Sequence, residues 1–270
     1  MKIITEYQEF KDFRNTLNSV SFVPTMGNLH KGHMALIGKA RSHDSHVTAS
    51  IFINPLQFND ASDFKNYPKS LDNDIALLSK HGCDSVFIPN SSILEDIKEI
   101  KAPEIALHLC GLNRPGHFDG VLTIVSKLFE ITKPTRAFFG KKDFQQLTLI
   151  KNFVKDNNLP IEIISVGTVR ELNGLAMSSR NNRLSESDRK KASKLYKTLS
   201  FIKANSNNLS QQMIKYLKDE LTEQGFDVDY LSVCNPNSLK DLKNFNLKPM
   251  LVAIAASIGG IRLIDNILID

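Results

Sequence analysis

The chain has 270 residues, of which 41% are apolar and 23% charged, and its formal net charge is +5. At about 150 residues per domain, this length indicates one large or two unequal domains, with enough chain to bury a core. The composition is that of an ordinary globular protein, and because no run of five Lys or Arg occurs, nothing indicates nucleic-acid binding.

The cysteines and the apolar runs favour a soluble, cytoplasmic protein. Cys83, Cys110 and Cys234 are scattered and form no CxxC motif, which is typical of reduced thiols rather than of disulfides or a zinc site. The first residues lack the apolar region of a signal peptide. The run Met250–Ile258 is too short to span a membrane, so no membrane partner is expected.

Strands and helices are predicted to alternate through the first part of the chain. Thr5 and Gln8 form a capping box that predicts a helix start, and further helices are predicted at Met34–Ala40, from Ser70, at Val121–Phe129 and at Phe144–Val154. The predicted strands are Val20–Val23, Val47–Ile53, Ser85–Ile88, Arg136–Phe139 and Ile161–Val166. This alternation predicts an α/β fold with a doubly wound, Rossmann-like parallel sheet.

The pattern changes in the last hundred residues. Ser185 and Asp188 predict the capped start of a helix that runs to Ile202, and a second helix follows around Leu217. Three strand-like runs close the chain: Val228–Val233, Met250–Ala255 and Arg262–Ile269. We therefore expect a large domain of residues 1–173 and a small α+β domain of residues 174–270 that closes the site.

The stretch from Pro24 to His33 joins the predicted strand Val20–Val23 to the predicted helix Met34–Ala40. Ligands of open α/β sheets bind outside the carboxyl ends of the strands, and the N–H groups of a helix start favour an anion. Gly27 and Gly32 leave room for a ligand near the backbone, and His30 and His33, three residues apart, can face the same phosphate. Spacing alone is more typical of surface histidines or of satisfied polar groups, and a metal site would need a third ligand.

Four segments, including the one just described, place polar residues at the ends of predicted strands. They are Met26–His33, Asn54–Gln57, Gly140–Gln146 and Val169–Arg180. Because the carboxyl ends of parallel strands lie along one side of the sheet, all four segments can converge there. Lys142 and Arg180 suit phosphates, Asp143 suits a ribose hydroxyl, and the Gln57 and Gln146 amides suit a small polar substrate. No GxxxxGK[ST] or GxGxxG motif occurs, so the pattern is not that of a Walker loop or a dinucleotide site. Taken singly, each side chain also has an ordinary structural explanation, such as a surface lysine or a helix cap.

Five motifs together resemble the pantothenate synthetase (pantoate–β-alanine ligase) family of the HxGH nucleotidyltransferase superfamily. They occur in the family's order and span most of the chain, whereas HxGH alone is shared with adenylyltransferases. The motifs are Pro24–His33, Phe52–Phe58, Arg114–Val121, Phe139–Gln146 and Met177–Asn181.

The resemblance implies an AMP-forming ligase that uses ATP with Mg²⁺ and no bound organic cofactor. Pantoate and ATP would form pantoyl adenylate and pyrophosphate, and the β-alanine amine would then displace AMP to give pantothenate, a step of coenzyme A biosynthesis. No protein nucleophile is required, because preorganised donors meet the main catalytic need. A homodimer is also implied. Residues that bind the magnesium ion are not identified.

The site residues carried over from the family are expectations. His33 would be the proton donor, with His30, Lys142 and Arg180 as further catalytic residues. The ATP-binding residues would be Met26, Gly27, Asn28, Leu29, His30, Lys31, Gly32, His33, Gly140, Lys141, Lys142, Asp143, Val169, Met177, Ser178, Ser179 and Arg180. Pantoate and β-alanine would be bound by Gln57, Gln146 and Met26.

The sequence departs from the family pattern at Lys141, where Glu is common, and at Asn173, where Asp is expected. Neither position is assigned to the chemistry. Two alternatives stay open: an adenylyltransferase of the same superfamily, and a nucleotide-binding module without catalysis.

Overall fold

The computed structural model describes residues 1–43 and 45–270, which divide into two compact units. The first unit comprises Met1–Ala102, Pro115–Lys141 and Gln146–Gly167, and the second comprises Pro103–Arg114, Lys142–Gln145 and Thr168–Asp270. The strands are β1 Lys2–Ile4, β2 Val20–Thr25, β3 His46–Ile51, β4 Ser85–Phe87, β5 Arg136–Gly140, β6 Glu162–Val166, β7 Asp227–Cys234, β8 Met250–Ile258 and β9 Ile261–Ile269. The α-helices are α1 Tyr7–Asn15, α2 Lys31–Arg41, α3 Ala61–Lys65, α4 Leu71–Lys80, α5 Cys110–Asn113, α6 His117–Thr132, α7 Phe144–Asp156, α8 Glu186–Ala192, α9 Lys194–Ala204 and α10 Gln211–Glu223.

A six-stranded sheet with the order β1-β4-β3-β2-β5-β6 forms the centre of the first unit, and all of its strand pairs are parallel. Its central strands are apolar runs buried on both faces, as parallel strands covered by helices must be. The chain leaves β2 toward β3 on one side and returns to β5 on the other, so the strand order switches direction beside β2. The crevice at such a switch point is where open α/β sheets bind ligands. The His30 turn and the turn after Gly140 follow the two strands at this point.

Local signals misplaced some elements of the first unit. The sequence analysis did not predict β1, a three-residue strand at the sheet edge that pairs with β4, because three residues carry too little periodicity. The capping box of Thr5 and Gln8 is wrong: Glu6 is the N-cap of α1 and makes no side-chain cap hydrogen bond. The short helix α3 was also missed.

The second unit packs helices against a three-stranded antiparallel sheet of order β7-β8-β9. Apolar side chains of α9, α10 and the strands form one buried cluster, to which Leu199, Leu217 and Ile254 belong. The helix predicted from Ser185 is interrupted at Ser193, which ends α8 and precedes α9. The Ser193 hydroxyl donates to the Lys190 carbonyl oxygen at 2.8 Å, a bond that bends helices. The predicted class, a Rossmann-like sheet with a smaller α+β part, is confirmed.

A tight hairpin from Val169 to Met177 belongs to the second unit, so the predicted junction at residues 173–174 falls inside that unit. Arg170 donates from Nη1 to Asp265 Oδ2 at 2.5 Å and from Nη2 to Oδ1 at 3.0 Å, which ties the hairpin to β9. The guanidinium also lies 3.7 Å from the ring centroid of Tyr196. These contacts, distant in sequence, could not be read from local composition.

Candidate active site

The two histidines of the first motif cap the helix that they begin. His30 is the N-cap of α2, and its Nδ1 accepts from the Gly32 N–H at 3.1 Å. In return, His33 Nδ1 accepts from the His30 N–H at 3.2 Å, and the two ring centroids are 4.1 Å apart. The spacing of three residues, which suggested a shared ligand, is therefore also the spacing of a reciprocal capping box.

This capping box determines which ring nitrogen carries the proton. An Nδ1 atom that accepts an N–H cannot itself be protonated, so the neutral imidazole with its proton on Nε2 fits both His30 and His33. Each ring then has an Nε2–H that can donate to an oxygen atom as negative charge develops. The backbone thus prepares both side chains to act as hydrogen-bond donors.

The backbone N–H groups of Asn28 and Leu29, which precede this helix, are bound to a carboxylate of the chain. The Asn28 N–H donates to Asp74 Oδ2 at 2.7 Å and the Leu29 N–H to Asp74 Oδ1 at 2.8 Å. Asp74 is buried in α4, where the Ser70 hydroxyl also donates to it. A carboxylate of the chain itself therefore accepts both of these donors.

Gly27 is required by the fold of the turn itself. Its φ is +80°, a left-handed conformation that residues with a side chain rarely adopt. A Cβ atom there would lie 3.0 Å from Asp74 Oδ2 and 3.2 Å from Ile51 Cγ2. The positive φ and the close contact with Asp74 therefore favour a glycine here even without a ligand.

The structure brings Gln57 and Met26 together in the first unit. Gln57 ends a 3₁₀ turn of Pro55–Gln57 that follows β3, and its Nε2 lies 2.9 Å from Met26 Sδ. Its Oε1 accepts from Asn54 Nδ2 at 3.1 Å. Asn54 is 1% exposed, and the sequence analysis gave it no role of its own. Its amide fixes the orientation of the Gln57 amide, so Gln57 directs its N–H donors toward the residue that begins the His30 turn.

The turn after β5 carries the other predicted residues of the Gly140–Gln146 segment. Gly140 ends β5, Lys141 is exposed at the start of a 3₁₀ turn, and Gln146 lies half-buried in the first turn of α7. Within the second unit, Lys142 Nζ lies 3.3 Å from Asp143 Oδ1, and the Lys142 carbonyl oxygen accepts from Asn266 Nδ2 at 2.8 Å. Lys142 and Asp143 therefore form an ion pair, a contact that the separate phosphate and ribose roles did not anticipate.

Gln145 is a structural residue that the sequence analysis overlooked. It is 6% exposed; its Oε1 accepts from the Cys110 N–H at 3.0 Å, and its Nε2 donates to the His108 carbonyl oxygen at 2.7 Å. It thereby holds the 105–110 segment within the second unit. Nothing in the local sequence distinguishes it from Gln146, because only burial separates the two adjacent amides.

The Met177–Arg180 segment follows the hairpin in the second unit. The Met177 N–H donates to the Val169 carbonyl oxygen at 2.9 Å, and Ser178 Oγ accepts from the Arg180 N–H at 3.2 Å, which begins a 3₁₀ turn. The segment is held by Asn181, whose Nδ2 donates to Glu171 Oε1 at 2.8 Å. Partial burial acts to raise the pKa of Glu171, but hydrogen bonds from Arg189 and Asn181 outweigh it and leave that pKa below its usual value.

Comparison with known proteins identifies the family to which this chain belongs. The family model "Pantoate-beta-alanine ligase" matches residues 1–268. This chain belongs to the pantoate-beta-alanine ligase family. It is 43% identical to the pantothenate synthetase of Acinetobacter baylyi over 260 residues, which cover 94% of this chain and 92% of the relative. It is 41% identical to that of Shewanella loihica over 266 residues, which cover 96% and 94%.

Solved structures of the family have the same fold. The pantothenate synthetase of Thermus thermophilus superposes with a TM-score of 0.91 at 38% identity and covers 99% of both chains. The pantoate-beta-alanine ligase of Francisella tularensis, described as complexed with beta-gamma ATP and beta-alanine, superposes with a TM-score of 0.86 at 38% identity. This match covers 99% of our chain and 97% of that one. The predicted family is therefore confirmed.

Cys83, Cys110 and Cys234 are all buried, free thiols. Burial raises the pKa of Cys83 to about 11 and that of Cys234 to about 12, so these two carry no thiolate near neutral pH. Within residues 1–43 and 45–270, no group of three or more His, Cys, Asp or Glu side chains is arranged to hold a metal ion. In the same residues, no helix has both the length and the apolar character needed to cross a membrane.

Proposed function

We propose that this chain condenses pantoate with β-alanine in an ATP-dependent reaction that proceeds through pantoyl adenylate and releases pyrophosphate and AMP. The observation that carries the proposal is the His30–His33 capping box at the switch point of the parallel sheet, in a chain that matches the ligase family over residues 1–268. The resemblance to a relative described as complexed with beta-gamma ATP and beta-alanine supports the substrates.

The chemistry of the first step explains why two imidazole donors are useful. A pantoate carboxylate oxygen attacks the α-phosphorus of ATP, the bond to pyrophosphate breaks, and negative charge grows on the phosphoryl oxygens and on the leaving group. Preorganised donors at such positions contribute most when they are already in place before the reaction. We propose that the Nε2–H groups of His33 and His30 are these donors, with His33 as the proton donor.

The second step needs no nucleophile from the protein. The β-alanine amine attacks the acyl carbonyl carbon, the bond to the AMP oxygen breaks, and the amine proton is lost. Because AMP is a far better leaving group than oxide, adenylation makes the carboxylate reactive. The Nε2 donors of Gln57 suit the oxygen atoms of an acid substrate, and Gln146 and Met26 complete the proposed binding residues for pantoate and β-alanine.

The remaining nucleotide contacts are proposals taken from the family pattern. Gly140, Lys141, Lys142 and Asp143 would bind the nucleotide, Val169 would contact the adenine through its backbone, and the Met177–Arg180 segment would bind phosphate. Mg²⁺ is proposed to arrive with ATP, since this ion is commonly held by substrate phosphates, one or two carboxylates and water. A homodimer is proposed on the resemblance alone. A cytoplasmic location is proposed because the three scattered cysteines are free thiols, which are typical of a reducing compartment. Sedimentation at twice the 30.3 kDa chain mass is the result that would support the dimer.

The test of function is the release of pyrophosphate and AMP from ATP by the wild-type protein. With ATP, Mg²⁺ and pantoate alone, we expect pyrophosphate equal to the amount of enzyme. Adding β-alanine should start sustained release of both products. Steady pyrophosphate release without either acid would instead indicate an adenylyltransferase, and ATP binding without any release would indicate a module without catalysis.

Replacing His33 tests its assigned role. His33→Ala should reduce kcat by roughly 10²- to 10³-fold, as the loss of one transition-state donor does, with only a modest loss of ATP affinity. His81→Ala is the matched control, because His81 is exposed at the end of α4 and hydrogen-bonds within its own helix. Equal turnover in the two variants would exclude His33 as the donor.

A further inference from the structure

The Arg114–Val121 motif has no role in the proposed mechanism, yet it packs against the turn that carries Gln57. Its residues 117–121 form the start of α6, and the 3₁₀ turn of Pro55–Gln57 lies directly on them within the first unit. Two residues of α6 make the contact. His117, 8% exposed, and Gly120, buried in the same helix, both face the turn.

Gly120 provides the space that the turn occupies. A Cβ atom on Gly120 would lie 2.2 Å from the Leu56 carbonyl oxygen and 2.8 Å from the Gln57 backbone nitrogen. Both atoms are backbone and cannot rotate away, so an ordinary contact of about 3.4 Å would require the turn to move by roughly 1 Å. The φ of Gly120 is helical, which means that packing and not backbone conformation requires this glycine.

The Gly120 carbonyl also determines the orientation of two amides in series. It accepts from Asn54 Nδ2 at 3.0 Å, while Asn54 Oδ1 accepts from the Leu56 N–H at 3.2 Å. These two bonds leave only one possible orientation for the Asn54 amide. Asn54 Nδ2 then donates to Gln57 Oε1, so the opposite end of the Gln57 amide, its Nε2, faces Met26.

His117 fixes the backbone of the same residue. Its Nδ1 lies 2.7 Å from the Gln57 carbonyl oxygen, and because a carbonyl can only accept, Nδ1 is the donor. Asn59 Nδ2 donates to the Pro115 carbonyl oxygen at 2.5 Å, which anchors the far side of the turn to the residues that precede α6. The turn is therefore attached to the start of α6 on both sides of Gln57.

We propose that Gly120 and His117 are positioning residues for the acid substrate: they hold Gln57 so that its amide donates to a carboxylate or hydroxyl oxygen. This inference rests on the proposed function of Gln57 in substrate binding. It assigns to the start of α6 a role in affinity for pantoate and no role in nucleotide binding. The expected signature is a change in KM for pantoate with little change in KM for ATP.

The first test compares two glycine-to-alanine variants. Gly120→Ala should raise KM for pantoate and lower kcat/KM for pantoate by about 10²-fold, the effect of a displacement of about 1 Å, with KM for ATP changed less than twofold. Gly38→Ala is the matched control, since Gly38 is exposed on α2 and a Cβ there would meet nothing within 4 Å. An unchanged KM for pantoate in a folded Gly120→Ala protein would overturn the proposal, as would an equal rise in KM for ATP.

A second pair of variants decides the question if Gly120→Ala does not fold. His117→Ala removes the donor to Gln57, whereas His117→Asn can place its Nδ2 near the position of the histidine Nδ1. We expect KM for pantoate to rise about fivefold, the loss of one hydrogen bond, in the alanine variant and to return toward wild type in the asparagine variant. Equal values in both variants would refute a role for the hydrogen bond.

A readout independent of turnover separates this inference from the proposed function. The Gln57 side-chain amide signal can be identified in a ¹⁵N NMR spectrum by its disappearance in Gln57→Glu. It should shift in His117→Ala and stay in place in Gly38→Ala. If the wild type neither binds nor turns over pantoate, the proposed function fails. If the wild type binds and turns over pantoate, but His117→Ala has the same Gln57 amide signal and the same KM for pantoate as the wild type, the positioning role fails.

Discussion

Replacing Asp74 by asparagine tests whether the turn before α2 depends on a carboxylate. The two oxygens of Asp74 accept separate N–H groups, from Asn28 at 2.7 Å and from Leu29 at 2.8 Å, and the side chain is 1% exposed. An asparagine has one acceptor oxygen, so its NH₂ group must face one of these N–H donors. The substitution therefore removes a charge-assisted hydrogen bond and leaves a buried donor without an acceptor.

The expected size of the effect follows from these contacts. A hydrogen bond to a charged group contributes about 1.5–3 kcal/mol, and a buried donor left unpaired costs about 1–3 kcal/mol. The two figures partly overlap, because both describe the same lost contact, so the free energy of unfolding of Asp74→Asn should fall by about 2–4 kcal/mol. Since Asn28 and Leu29 lead directly into His30, a shift of the turn also moves both imidazoles, and kcat should fall about 10²-fold.

Urea denaturation and steady-state kinetics measure the two effects in one set of proteins. Asp72→Asn is the control, because this substitution removes the same charge from an exposed position of α4. It should change the free energy of unfolding by less than about 0.5 kcal/mol. Wild-type stability and kcat in Asp74→Asn would refute the argument that this carboxylate organises the turn. A loss of stability with normal kcat would show that the histidines do not depend on it.

Two further predictions concern burial. The raised pKa of Cys83, about 11 against a usual 9.0, means that the folded protein keeps this thiol protonated where the unfolded chain loses the proton. The free energy of unfolding should therefore fall by about 2 kcal/mol more between pH 9 and 11 in the wild type than in Cys83→Ser, while turnover at pH 7.5 stays the same in both. Abolished turnover in a folded Cys83→Ser protein would contradict the absence of a thiol from the mechanism. Arg170→Ala should destabilise the second unit by about 3–5 kcal/mol in a urea titration, because it leaves the buried Asp265 carboxylate without its cation. Lys190→Ala is the control: it breaks an exposed ion pair with Glu186 and should cost at most about 1 kcal/mol in the same titration.

Most of the fold was predictable because its elements are long and periodic. The buried runs that became β2, β3 and β5 and the apolar stripe of α6 are repeated signals that neighbouring residues reinforce. Short elements such as β1 and α3 were missed because three to five residues form no period. The interruption at Ser193 was missed because the apolar stripe continues from Ala192 to Leu195 across it.

The candidate site was predictable as a set of residues but not as a set of contacts. Motif order and strand ends indicated His30, His33 and Gln57, and in the structure these residues follow the carboxyl ends of the parallel strands β2 and β3, as expected. The partners that orient them come from distant positions: Asp74 lies 45 residues from Leu29, and Gly120 lies 66 residues from Asn54. No local pattern reports such pairs, because a hydrogen bond between distant segments leaves no trace in the spacing of either one.

The sequence by itself determined the class of fold, the family and the residue types available for the chemistry, since hydrophobic periodicity and short motifs are local properties of the chain. Only the tertiary structure decided which groups those residues meet. It showed that the Asn28 and Leu29 amides are bound to Asp74, that the Nδ1 atoms of both histidines accept from backbone N–H groups at the start of α2, and that the Gln57 amide takes its orientation from the start of α6. Hydrogen bonds between segments form only after the sheet and its helices have brought those segments together, so the direction in which each donor points is a property of the folded chain.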